Sequence, residues 1–209
     1  MNENKRQCDP FATAAVLAGG KSSRMGFDKQ LLEIERKKLF CYTAESLNTV
    51  FPDVLFVTSS PSFYGSLNVR TCSDIYKDMG PMGGIHSALI HTESEYIFLM
   101  ACDMPVVDIE YIKYLKTQAL GYDACVTVNG GRYEPFCAFY SKKVLPVLER
   151  DLSEGKTSLY YFLQSVNLKT ISEDKARSFN PNLTMFTNLN TQNEYNEYLK
   201  KVKINGYYK

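Results

Sequence analysis

The chain has 209 residues, and its 24 Lys+Arg against 23 Asp+Glu leave a net charge of +1, which argues against the broad positive field of a nucleic-acid binder. Hydrophobic content of 44% and charged content of 22% are globular values and exclude disorder for most of the chain. No apolar run approaches the roughly 20 residues of a bilayer span, and the polar stretch 1–6 carries no secretory signal, so a cytoplasmic protein with neither membrane nor nucleic-acid partner is expected.

Thr13-Ala14-Ala15-Val16-Leu17 reads as a buried strand that stops at the loop Ala18-Gly19-Gly20. Residues 38–50 carry Leu39, Tyr42, Leu47 and Val50 at helical spacing. Val54-Leu55-Phe56-Val57-Thr58 predicts a second buried strand, and 69–72 a shorter one. Gly83-Gly84 opens a helix through Ile85, Ala88 and Leu89. Tyr96-Ile97-Phe98-Leu99-Met100-Ala101, apolar on both faces, is the clearest strand, and 109–120 has helical periodicity. Strand alternating with helix predicts a three-layer α/β fold around a mainly parallel sheet.

The second half is less regular. Strands at 124–128 and 135–140 flank the turn signal Asn129-Gly130-Gly131, which predicts a small antiparallel excursion. Helical patterns follow at 142–150, 157–165 and 191–203, and the tail from 203 is expected to fray. The six cysteines, Cys8, Cys41, Cys72, Cys102, Cys125 and Cys137, form no CxxC pair and lie near neither His86 nor His91. Reduced thiols are therefore expected, with Cys41, Cys102, Cys125 and Cys137 serving as small buried hydrophobes.

Three stretches carry chemistry. The first is 17–29, where Leu17, Ala18, Gly19 and Gly20 give way to Arg24 and Lys29. Glycines let the backbone approach a ligand closely, and the two cations supply charge for an anion in the same loop. It is not a Walker A loop, because position 15 is alanine, and the GxGxxG spacing is broken by Ala18. The second is Asp103, directly after the apolar strand 96–101, where open α/β sheets gather their ligands. A single carboxylate there suits Mg²⁺, which takes one or two carboxylates along with substrate phosphates and water. The third is Asp74 to Gly84, including Gly80, between a strand and a helix, so its amides face the same edge. Each stretch also has a plain structural reading, as a mobile turn, a helix-capping aspartate and a generic Gly-Pro breaker.

Together these residues resemble the molybdenum cofactor guanylyltransferases. The resemblance rests on Leu-Ala-Gly-Gly-x-Ser-x-Arg-Met-Gly-x-Asp-Lys at 17–29, Gly-Pro-Met-Gly-Gly at 80–84 and Cys-Asp-Met-Pro at 102–105. Asn188-Leu189-Asn190-Thr191 is similar to that family's Asn-x-Asn-Thr segment, and the likeness runs from about 13 to 199. It implies a single Rossmann-like nucleotidyltransferase domain over 1–209, with a nucleotide half at about 13–105, an acceptor half at about 106–199 and a basic tail at 200–209. The implied reaction joins GMP from GTP to the terminal phosphate of molybdopterin cofactor and releases pyrophosphate. Leu17, Ala18, Gly19, Gly20 and Gly80 would then contact the nucleotide, Lys29 and Arg24 its phosphates, and Asp74 the nucleoside. Asp103 would bind Mg²⁺ and GTP, while Asn188 and Asn190 would belong to the pterin side, with Arg132 and Pro135 in the strand entering it. Molybdoenzyme-maturation proteins are further partners that the resemblance implies. Relatives often carry arginine soon after the glycine matching Gly155, where this chain has Lys156-Thr157-Ser158.

Two other readings use the same residues. One is a related nucleotidyltransferase that takes CTP or a sugar-phosphate acceptor. The other is a non-catalytic nucleotide-binding module in cofactor delivery, against which the joint presence of Lys29 and Asp103 speaks.

Overall fold

The computed structural model describes residues 9–19, 32–34 and 36–205. β1 (Thr13–Leu17) is followed by a short antiparallel pair, β2 (Glu33–Ile34) and β3 (Lys37–Lys38), and then by α1 (Leu39–Asn48). Next come β4 (Asp53–Val57), a 3-10 turn at Pro61–Tyr64, β5 (Arg70–Cys72), α2 (Gly80–Ile90) and β6 (Tyr96–Ala101). The second half holds α3 (Ile109–Ala119), β7 (Ala124–Asn129), β8 (Arg132–Ser141), α4 (Leu145–Ser153) and α5 (Leu159–Gln164). β9 (Leu168–Ile171), α6 (Glu173–Arg177) and α7 (Gln192–Asn205) complete it.

One seven-stranded sheet runs in the order β5-β4-β1-β6-β8-β7-β9. Every neighbouring pair is parallel except those made by β8, which runs against both β6 and β7. The predicted excursion is thus a single reversed strand inside the main sheet, turned by Gly130-Gly131. Parallel strands must be covered on both faces, which explains their unbroken apolar runs. Val16, Phe56, Phe98 and Phe139 pack beneath α1 and α3 on one face. Ala15, Leu55, Ile97 and Tyr140 pack beneath α2, α4 and α5 on the other. These are the three expected layers.

Several boundaries differ from the sequence expectation. β9, α6 and the β2–β3 pair are additional, and α2 starts at Gly80 rather than at Gly83. The predicted helix at 142–150 is a 3-10 turn at Lys142–Val144 followed by α4, which continues to Ser153. α7 continues through Asn205, into the stretch expected to fray. Cys125 and Cys137 are buried as expected, and burial pushes the Cys125 thiol up to about 12. Cys41 and Cys102 are only partly covered, so the reading of all four as buried hydrophobes is corrected for these two. No disulfide joins the described cysteines. Among the described residues no helix is long and apolar enough to cross a membrane.

Candidate active site at the carboxyl edge of the sheet

Backbone hydrogen bonds just past the strand ends bring three of the predicted segments to one edge. Ala18 N donates to Val57 O at 2.9 Å, Thr58 N to Cys72 O at 2.7 Å and Cys102 N to Leu17 O at 3.0 Å. Gly19, Asp74 and Asp103 therefore follow β1, β5 and β6 at one edge of the sheet, with β4 between β5 and β1, where open α/β sheets bind ligands. A methyl group built on Gly19 would stand 3.8 Å from Asp74 Oδ2 and 3.8 Å from Val57 O. That is ordinary contact, so nothing among the described residues demands glycine at this position. Leu17 is half-buried and Ala18 buried at the foot of the crevice.

Asp74 is the unusual group. Its Oδ1 is buried with no hydrogen-bond partner among the described residues, and burial raises its carboxyl above the usual aspartate value. Ser87 of α2 fixes the loop by accepting from Ile75 N at 2.8 Å. An acid whose pKa is raised by folding adds stability below its ordinary value of 3.8 and loses that contribution as pH rises through the raised one. The ionised form thus opposes folding at neutral pH. Asp74→Asn is accordingly expected to melt higher than the wild type at pH 8, with the gap closing as pH falls toward the carboxyl range. Thermal melts at pH 8 and pH 5 check this, and equal melting temperatures at pH 8 would show that the carboxylate is already well solvated.

The first turn of α2 packs under this loop. A methyl on Gly83 would meet Tyr76 O at 2.6 Å, and one on Gly84 would meet Leu17 Cδ2 at 2.8 Å. Both glycines in this motif are explained by close packing, which brings the start of the helix against the strand end. Gly80, the third predicted position there, is exposed at the first residue of α2 with φ +60°.

Asp103 is buried to 6% exposure two residues beyond β6. Its backbone carbonyl accepts from Leu189 N at 2.9 Å, which draws the predicted Asn188–Asn190 segment across to it. Asn188 is half-buried and donates to Phe186 O at 3.2 Å. The Asn190 and Thr191 amides are held by Glu194 Oε2, each at 2.8 Å, while Thr191 Oγ1 accepts from Glu194 N at 3.1 Å. This is a capping box that starts α7 and fixes the segment. The Thr-x-x-Glu spacing at 191–194 is the sequence signal for it, and the sequence analysis does not use it.

Gly20, Arg24 and Lys29 lie outside the described residues. Among the described residues, no group of three His, Cys, Asp or Glu side chains is placed to hold a metal ion. An open cavity of about 470 Å³ lies beside the loop leaving Asp103, between Asp108 and Glu110 on one side and Phe179, Asn180 and Thr184 on the other. None of the predicted site residues lines it. Lys156 pairs on the surface with Glu154 at 2.5 Å.

Comparison with known proteins gives a consistent result. The model of the MobA-like NTP transferase domain matches residues 14–170. A probable molybdenum cofactor guanylyltransferase of Peptoclostridium acidaminophilum is 42% identical over 206 residues, covering 94% of this chain and 93% of that protein. The molybdenum cofactor guanylyltransferase of Syntrophotalea carbinolica is 39% identical over 193 residues, 91% of this chain and 92% of its own. Among solved structures, molybdopterin-guanine dinucleotide biosynthesis protein A from Archaeoglobus fulgidus superposes with a TM-score of 0.81 at 26% identity. That match covers 92% of this chain and 99% of the other.

Proposed function

Because this chain belongs to the MobA-like NTP transferase domain family, we propose that it transfers GMP from GTP to the terminal phosphate of molybdopterin cofactor. A phosphate oxygen of the acceptor attacks the α-phosphorus of GTP, the bond from that phosphorus to the bridging oxygen breaks, and pyrophosphate leaves. The observation that carries this reading is the two-sided edge. Gly19 and Asp74 meet on one side, and the Leu189–Asp103 hydrogen bond joins Asp103 to Asn188 and Asn190 on the other.

In this reading Leu17, Ala18, Gly19, Gly20 and Gly80 border the nucleotide, and Asp74 helps hold its nucleoside. Lys29 and Arg24 neutralise phosphate charge, while Asn188 and Asn190 border the pterin side. The nucleotide half is then about 13–105 and the acceptor half about 106–199, both built on the one sheet. Asp103 is a hard oxygen donor at the crevice, and it fits a Mg²⁺ ion whose remaining ligands come from substrate phosphates and water. When bound, Mg²⁺ would supply charge neutralisation between two polyanions that repel each other. The protein's share is to hold those polyanions in line and to aim fixed charge at them. No general base is required, because the attacking phosphate is ionised near neutral pH. A cytoplasmic setting belongs to the same proposal and is supported by the absence of a disulfide among the described cysteines.

The test is pyrophosphate release with each nucleoside triphosphate, with and without molybdopterin cofactor. Release that requires GTP and the acceptor together is expected; release with CTP alone among the triphosphates, or with no acceptor, would overturn the reading.

Base choice gives a sharper expectation. Gly19 leaves main-chain groups open to the larger purine ring, and among the described residues a methyl there makes only ordinary contacts. Gly19→Ala should therefore fold normally yet crowd guanine and leave its polar edge unpaired. An unpaired buried group costs about 1–3 kcal/mol, so the GTP:CTP ratio of kcat/KM should fall by roughly ten- to a hundredfold. An unchanged ratio would place base selection elsewhere.

A further inference from the structure

The β7–β8 hairpin overhangs the end of β6. β8 pairs with β6 only from Ser141 to Ala138, yet it stays paired with β7 as far as Arg132. Residues 132–136 therefore stand beyond that pairing, at the carboxyl edge and on the acceptor side of Asp103. Side chains alternate along this overhang. Glu134 stands opposite Thr127, whose hydroxyl meets Tyr111 of α3, so Glu134 lies on the same face as α3 and the loop that leads to it from Asp103.

Glu134 is half-buried, and its one hydrogen bond among the described residues is the 2.9 Å donation from Asn129 Nδ2 to Oε1. No described cation pairs with it, although Arg132 is two residues along on the same face. Burial raises its carboxyl above the usual glutamate value, and only the Asn129 amide opposes this. A carboxylate drawn partly out of water with a single neutral partner costs stability unless a ligand completes its hydrogen bonds. Asn129 leaves Oε2 and part of Oε1 available for such a ligand.

We propose that Glu134 recognises the acceptor's heterocycle by accepting two parallel hydrogen bonds from a 2-amino-4-oxopyrimidine ring. This rests on the acceptor being a pterin, as in the function proposed above. The ring N–H and the exocyclic amine of such a ring are adjacent donors, and a carboxylate matches them with two acceptors. A glutamine offers one acceptor and one donor, so it keeps the shape and loses the match. Guanine presents the same edge, but Gly19 leaves β1, which β6 separates from β8. The sheet order thus assigns Glu134 to the acceptor.

Glu134→Gln tests this in two assays. In pyrophosphate release at saturating GTP, the KM for molybdopterin cofactor should rise about ten- to a hundredfold, the range for lost hydrogen bonds to a charged group. The dissociation constant for GTP should stay within threefold and the melting temperature should not fall. In the second assay, binding of free pterin, followed by its own fluorescence, should weaken by a similar factor. A variant with wild-type acceptor KM and pterin affinity overturns the assignment. So does one that melts lower or loses GTP affinity equally, because Glu134 would then be structural or shared with the nucleotide. If the wild type itself makes no pyrophosphate from GTP and molybdopterin cofactor, the reaction reading fails. The pterin-binding assay then still decides whether Glu134 holds such a ring.

Discussion

Asp103→Asn is expected to fold as the wild type does and to lose about a thousandfold or more of its turnover. The side chain sits in a buried position of fixed shape, and an amide of the same size fills it. What the amide lacks is full negative charge, so it binds a hard divalent cation poorly. A metal-assisted contribution of several kcal/mol corresponds to that loss, since each 1.36 kcal/mol is about tenfold in rate. The backbone carbonyl of residue 103 still accepts from Leu189 N in the variant, so the 188–190 segment stays docked. The check is steady-state pyrophosphate release at saturating Mg²⁺, alongside a thermal melt. Turnover within threefold of wild type, with the fold intact, would remove the metal role from Asp103.

Lys29→Ala should slow the chemical step more than it weakens GTP binding. Negative charge shifts onto the leaving pyrophosphate as its bond to the α-phosphorus breaks, and in the function proposed above Lys29 supplies a cation for that charge. Losing one such contact costs about 2.7–4 kcal/mol of barrier, or a hundred- to a thousandfold in rate. Lys29 lies outside the described residues, so this expectation rests on its place in the 17–29 motif. Single-turnover rates compared with the equilibrium dissociation constant for GTP decide the matter. If weakened affinity accounts for the whole defect, Lys29 is a binding residue only.

The central strands were legible in the sequence because they are buried on both faces. Val16, Phe56 and Phe98 cover one layer and Ala15, Leu55 and Ile97 the other, and an unbroken apolar run is the signature of that position. β9 carries no such mark. It is an edge strand in which only Ile171 is buried, and Lys169 and Thr170 make it look like a loop. Its pairing with β7 is what makes it a strand, and that information lies some forty residues away. The start of α2 was misplaced for a related reason. Gly80 and Pro81 look like breakers locally, but proline needs no amide partner in the first turn, so the helix begins there.

The site divides in the same way. Gly19, Asp74 and Asp103 were legible because each follows a strand, and strand ends in a parallel sheet converge on one edge. The partners that fix them were not. Nothing near Asp103 in sequence announces Leu189, and nothing near Ile75 announces Ser87. Glu134 was overlooked because one glutamate within Arg132-Tyr133-Glu134-Pro135 looks like the solvent face of a strand. It is half-buried and held by Asn129 across the hairpin, a partner five residues away that the strand pattern does not announce.

The hydrogen bond from Leu189 to Asp103 also sets an order of events during synthesis. All seven strands of the main sheet are encoded before residue 172, so the sheet can close while the last part of the chain is still on the ribosome. Asp103 emerges with β6, but its partner amide comes only with residue 189. At about 5–20 residues per second, the delay is on the order of ten seconds. During that interval the growing polypeptide has β1 to β6, the half proposed above to bind the nucleotide, and lacks the 188–190 segment proposed to border the second substrate. If those assignments hold, a nascent chain binds the triphosphate before it is competent to spend it.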